Sequence, residues 1–109
     1  MAGLRGWANA AAYCSSKFAL TGFTQSLAAE GRPHGIRAWV LYPGAMATSW
    51  GVWNPEERRT ADGEQHDPPE GEAVPADQVA DLVSWIVAAP SGLVLNQVTV
   101  TPLHERGWP

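Results

Sequence analysis

The chain has 109 residues, which leaves room for one domain at most, and a core in so short a chain buries only a modest share of its surface. Hydrophobic residues make up 45%, too many for a disordered chain, and the formal net charge of −4 with 7 scattered Lys and Arg excludes nucleic-acid binding through a basic face. One cysteine, Cys14, rules out an internal disulfide and fits a reducing compartment, and the three histidines are too far apart in sequence for metal-ligand spacing, so no metal is expected.

In chain order, residues 1–9 are small, contain glycine and read as a loop. Apolar residues at Ala11, Cys14, Phe18, Leu20, Phe23, Leu27 and Ala28 recur close to a 3.6-residue period and predict a helix over Ala10–Glu30. Asn9 stands where an N-cap is expected, and Gly31 followed by Pro33 is a stop signal. The run Ile36–Tyr42 is β-branched, aromatic and almost continuously apolar, the pattern of a parallel strand covered on both faces, and Pro43-Gly44 ends it.

Residues 49–75 are a long polar excursion of turn and coil chemistry, of the kind that forms lids or disordered segments. Pro75-Ala76-Asp77-Gln78 opens a second helix with Val79, Leu82, Val83, Ile86 and Val87 on one stripe, closed by Pro90 and Gly92. Leu93–Thr101 is a final strand, Pro102 stops it, and residues 103–109 read as a loose tail. Trp39 and Trp85 fall on apolar faces and are expected in the core, and Trp7, close to the first helix, in a core or surface contact, with a reach to substrate as the alternative. No stretch approaches the apolar run needed to span a membrane, so the expectation is a soluble, cytoplasmic protein.

Helix, strand, loop, helix, strand is a βαβ unit with an extra helix in front, and its sheet should be parallel. Two strands make a poor sheet, and the first reads as one with neighbours on both sides. An unpaired strand edge, and with it a tendency to associate, is therefore expected of the isolated chain.

The chemistry centres on Tyr13-Cys14-Ser15-Ser16-Lys17. Residues four apart on a helix share a face, and a cation held beside a phenol favours the phenolate, so the pair could exchange a proton with a carbonyl or alcohol oxygen. Spacing alone is weak evidence, since such pairs occur by chance with an exposed Lys and a half-buried Tyr. Here the pair is followed by Phe18-Ala19-Leu20-Thr21-Gly22-Phe23, by Leu27-Ala28-Ala29-Glu30, by Gly35-Ile36-Arg37 and by Pro43-Gly44-Ala45-Met46-Ala47-Thr48.

In this order and at these spacings, the series resembles the C-terminal portion of the short-chain dehydrogenase/reductase family, from the first loop to Pro102. The resemblance implies an α/β fold, the C-terminal part of a Rossmann-type doubly wound parallel sheet, with residues 1–109 forming part of a single domain. It also implies NAD(P)-dependent hydride transfer to or from a hydroxy or keto compound, with a small carbonyl or alcohol as substrate and a homo-oligomer at full length.

By the same resemblance, Tyr13 is the acid/base, and Lys17 lowers the tyrosine pKa and binds the nicotinamide ribose. Pro43, Gly44, Met46 and Thr48 meet the nicotinamide end of the cofactor. Trp50 and Trp53 lie in the region that covers substrate, and anchoring the loop is an equal alternative for them. The stretch Val87-Ala88-Ala89-Pro90 followed by Leu95–Pro102 looks like the branch of NADP-dependent 3-hydroxy acid and serine dehydrogenases, which puts NADP ahead of NAD.

The sequence also departs from the family. Its Gly-rich phosphate loop and Asn-rich motif are absent, and the family's Ser, about a dozen residues before the Tyr as oxyanion partner, would fall at or just before Met1. Ser15 and Ser16 sit inside the helix and read as packing residues. The alternative to an enzyme is therefore a non-catalytic remnant that at most associates with related subunits.

Overall fold

A computed structural model describes residues 1–46, 71 and 73–105. Helix α1 covers Ala11–Gly31, strand β1 Val40–Pro43, helix α2 Ala76–Ala88 and strand β2 Gln97–Val100, with a short 3-10 turn at Arg32–His34 after α1. β1 and β2 pair in parallel, in the register Val40↔Gln97 to Pro43↔Val100. The predicted α/β order and the parallel sheet are both present.

α1 starts after Ala10, whose carbonyl takes the first helical bond from Cys14 N–H at 2.8 Å, with no side-chain cap. Asn9 is therefore not the N-cap. It sits at φ 63°, the left-handed turn conformation that asparagine tolerates better than most residues. Inside the helix the hydroxyls of Ser16, Thr24 and Ser26 bond back to carbonyls three or four residues earlier, so these residues are satisfied locally. The α-helix ends at Gly31, where the stop signal stands, and one 3-10 turn follows it. Gly35 at φ 70° reverses the chain, a conformation a side chain would oppose, and Ile36 N–H then returns to Gly31 O at 3.0 Å.

Both strands are shorter than the apolar runs predict, because the residues before them are held in another way. Arg37 projects its guanidinium onto the end of α2 and the turn beyond it, where Nη1 donates to the carbonyls of Ala89 (3.2 Å), Leu93 (3.3 Å) and Pro90 (3.4 Å), and Nη2 to Val87 (3.4 Å). The ladder begins only at Val40 N–H to Asn96 O, 3.1 Å, and closes at Gly44 N–H to Val100 O, 2.7 Å. These two donors are even-numbered, and in a parallel ladder alternate residues face the same neighbour. Pro43 is out of phase with them, so its missing N–H costs this pairing nothing. Among the described residues β1 has one neighbour, and its other edge is open.

Among the described residues the buried apolar ones are Ala2, Cys14, Tyr42, Val79, Ile86, Ala89 and Pro102, with no buried polar or charged residue beside them. α2 buries Val79 and Ile86 from its predicted stripe, with Val87 left exposed. α1 departs from expectation. Of its apolar series Cys14 is buried, whereas Phe18, Leu20, Phe23 and Leu27 are exposed, Phe23 by 61%, because no described element covers that face. Trp85, expected in the core, is 56% exposed for the same reason, and Trp39 is half-buried. Ser15 and Ser16 are exposed rather than packed. Among the described residues no helix is long and apolar enough to cross a membrane.

Candidate active site

α1 presents Tyr13 and Lys17 on one face, one turn apart, both half-buried. The Lys17 ammonium lies 5.4 Å from the centre of the Tyr13 ring, within reach of a cation–π attraction of about 0.5–1 kcal/mol at a partly exposed site. Trp7 brings its ring centre to 6.2 Å from that of Tyr13, tilted by 55°. The tyrosine thus has both a cation and an indole as neighbours.

Tyr13 separates two hollows. The larger, about 500 Å³, is lined by Met1, Trp7, Tyr13 and the run Pro43-Gly44-Ala45-Met46. The smaller, about 210 Å³, takes in Lys17, Leu20, Leu41 and Tyr42 and shares Met1, Tyr13 and Pro43 with the first. The shared wall sits at the carboxyl end of β1, which is where open α/β sheets bind their ligands. Of the sequence-predicted cofactor residues, Pro43, Gly44 and Met46 line the larger hollow and Lys17 and Pro43 the smaller, with Tyr13 lining both. Thr48, Trp50 and Trp53 lie outside the described residues.

What fixes the Tyr13–Lys17 face of α1 against β1 is a polar knot absent from the sequence expectations. Tyr42 O–H donates to Thr21 Oγ1 at 3.1 Å, and Thr21 in turn reaches the carbonyls of Gly3 and Lys17, both at 3.3 Å. Gly3 fits here because a Cβ would come within 2.8 Å of Tyr42 Cε1. The knot joins the first loop, the helix turn carrying Lys17 and the buried strand residue Tyr42. Trp7, for which a surface contact and a reach to substrate are both open on sequence, lies 48% exposed and lines the larger hollow. Neither the knot nor the Trp7 contact has a periodic signal, since each joins segments that only the fold brings together.

Beyond β1 the chain continues as Ala45-Met46, bridged in parallel to Val74, with Val74 N–H donating to Ala45 O at 2.9 Å. The start of the expected loose tail is fastened here. His104 N–H donates to Gly71 O at 2.9 Å, Glu105 N–H returns to Pro102 O at 3.1 Å, and Glu105 Oε2 accepts from Ala45 N–H at 3.3 Å. Among the described residues no group of three His, Cys, Asp or Glu could hold a metal ion. Ser16 Oγ donates to the Tyr13 carbonyl at 2.7 Å, so that hydroxyl is engaged with the helix backbone.

Residues 1–58 match the sequence profile described as short chain dehydrogenase. The chain is also 30% identical over 95 residues to the 3-oxoacyl-(acyl-carrier-protein) reductase FabG of Haemophilus influenzae, a match covering 87% of this chain and 37% of that protein. The chain thus spans little more than a third of that relative's length. The profile match covers the first loop, α1, β1 and the wall Pro43–Met46, the same segments that converge on Tyr13. The chain belongs to the short-chain dehydrogenase family.

Proposed function

We propose that this chain supplies the proton-transfer side of an NAD(P)-dependent oxidoreductase, acting on a hydroxy or keto compound as part of a longer polypeptide. The observation that carries this reading is that Lys17 and the wall Pro43–Met46 line two adjoining hollows that share Tyr13 and Pro43 at the carboxyl end of β1. The relative's printed reaction, reduction of a 3-oxoacyl group, lies within the proposed substrate class.

The residues present fit a nicotinamide group. The cleft of about 500 Å³ falls in the range of small-molecule sites, roughly 300–1,000 Å³, and one wall is backbone at a strand end where a flat ring can approach closely. Lys17 would hold the adjoining ribose, and Pro43, Gly44 and Met46 would line the ring and its carboxamide, with Thr48 as a further polar contact. When bound, the cofactor supplies or accepts the hydride.

The chain's own residues handle the proton. In the reducing direction, Tyr13 Oη donates its proton to the substrate oxygen as the carbonyl carbon gains a hydride, giving the alcohol. In the oxidising direction the same oxygen takes the hydroxyl proton. Lys17, one turn away, stabilises the negative charge left on the phenol oxygen. Trp7 packs beside Tyr13, with ring centres 6.2 Å apart. Trp50 and Trp53 are proposed to cover the substrate, and the complete protein to be a homo-oligomer. NADP is placed ahead of NAD on the likeness of the last segment to NADP-dependent relatives.

The test is Tyr13→Phe in the full chain, with turnover followed by loss of NADPH absorbance against a 3-oxo ester. Removing a positioned acid/base should lower kcat by about 10²–10⁴-fold, with NADPH binding kept close to wild type. Full turnover by Tyr13→Phe would refute the role.

A further inference from the structure

The wall of the cleft is held by a residue sixty positions away. The β1–β2 ladder closes with Gly44 N–H on Val100 O at 2.7 Å, and β2 itself ends at Val100. The N–H of Ala45, the next residue along the wall, bonds instead to the side chain of Glu105, whose Oε2 lies 3.3 Å from it. A turn closed by Glu105 N–H on Pro102 O at 3.1 Å, with Pro102 buried, brings the carboxylate back over the strand ends.

The fit of carboxylate to loop is close. A Cβ on Gly44 would stand 2.9 Å from Glu105 Oε2, 3.3 Å from Pro102 Cδ and 3.4 Å from Thr101 Cα, so the acid packs directly on the glycine. The neighbouring residue fastens a further segment through His104 N–H to Gly71 O at 2.9 Å, and Val74 ties back to Ala45 O at 2.9 Å. Ala45 is thus gripped on both of its backbone groups, by Val74 at the carbonyl and by Glu105 at the N–H.

We propose that Glu105 is a positioning residue: its carboxylate latches the Ala45 N–H and so fixes the Pro43–Met46 wall at the distance from Tyr13 that a nicotinamide ring requires. This rests on the reading of the cleft as a nicotinamide site. Glu105 itself touches the loop and not the ligand. Losing the acceptor frees a backbone segment on one side of the cleft, and a ligand must then restore its order on binding.

The test uses the full chain as wild type, Glu105→Ala and Glu105→Gln. Two quantities are measured: hydrogen exchange of the Ala45 amide without cofactor, and the Kd for NADPH and for NADH by quenching of tryptophan fluorescence. Glu105→Ala should speed Ala45 exchange and raise Kd about three- to tenfold, the weaker end reflecting a bond longer than the charged optimum. Glu105→Gln retains an acceptor oxygen and should return both quantities to within about twofold of wild type, a recovery that loss of general packing would not give. Unchanged Ala45 exchange in Glu105→Ala overturns the latch. Faster exchange with unchanged Kd overturns the link to the ligand. Failure of the wild type to bind either dinucleotide sinks the functional reading instead, and the cofactor-free exchange still decides the latch.

Discussion

Arg37 joins three parts of the chain that the sequence keeps apart: the approach to β1, the end of α2 and the turn leading to β2. Replacing it with alanine removes four donor contacts of 3.2–3.4 Å to the carbonyls of Val87, Ala89, Pro90 and Leu93. Hydrogen bonds from charged groups contribute about 1.5–3 kcal/mol each when short and buried. These are long, three of them share one nitrogen, and Arg37 is exposed, so they act together as one or two bonds. A cation at the end of a helix adds about 0.3–1 kcal/mol through the dipole. The expected loss for Arg37→Ala is therefore about 1.5–2 kcal/mol, roughly a tenfold or larger shift in the folding equilibrium. Arg37→Lys keeps the charge but lacks the planar fork, and should recover the dipole part alone. Urea unfolding followed by tryptophan fluorescence measures both, with the slope checked for constancy. If Arg37→Lys matched wild type, or if Arg37→Ala fell within about 0.3 kcal/mol of it, the clamp would contribute nothing beyond surface charge.

The knot between α1 and β1 makes two further predictions. Thr21→Val leaves the O–H of buried Tyr42 without its acceptor and should cost about 1–3 kcal/mol, whereas adding Tyr42→Phe should restore much of it, a coupling that a double-mutant cycle in urea reads directly. Gly3→Ala places a methyl 2.8 Å from Tyr42 Cε1 and 3.3 Å from the Lys17 carbonyl, so it should destabilise by about 1–3 kcal/mol, and NADPH affinity should fall because the turn carrying Lys17 is displaced.

Much of this protein is written locally. The 3.6-residue spacing in Ala76–Ala88, the apolar runs that contain Val40–Pro43 and Gln97–Val100, and the Tyr13–Lys17 interval each depend on neighbours in sequence, and each appears in the structure. The Pro43-Gly44 signal at the end of β1 placed the cleft wall for the same reason. Where local pattern failed, the reason was a contact distant in sequence, or a face that no element among the described residues covers. The apolar series of α1 stands exposed at Phe18, Leu20, Phe23 and Leu27, because periodicity says that a face can be buried but not what will bury it. The same holds for Trp85.

The sequence by itself determined the element types, their order, the parallel pairing and the candidate chemistry of Tyr13 and Lys17, because propensity, turn residues and side-chain spacing act over a few residues. Only the tertiary structure decided the start of the ladder at Val40, the Gly3–Thr21–Tyr42 knot, the Arg37 clamp and the grip of Glu105 on Ala45. Each of these is a hydrogen bond between groups separated by 18 to 60 positions. Such bonds are selected by which donors and acceptors remain unpaired once the strands and helices have used their own, and that is settled only when the chain has folded.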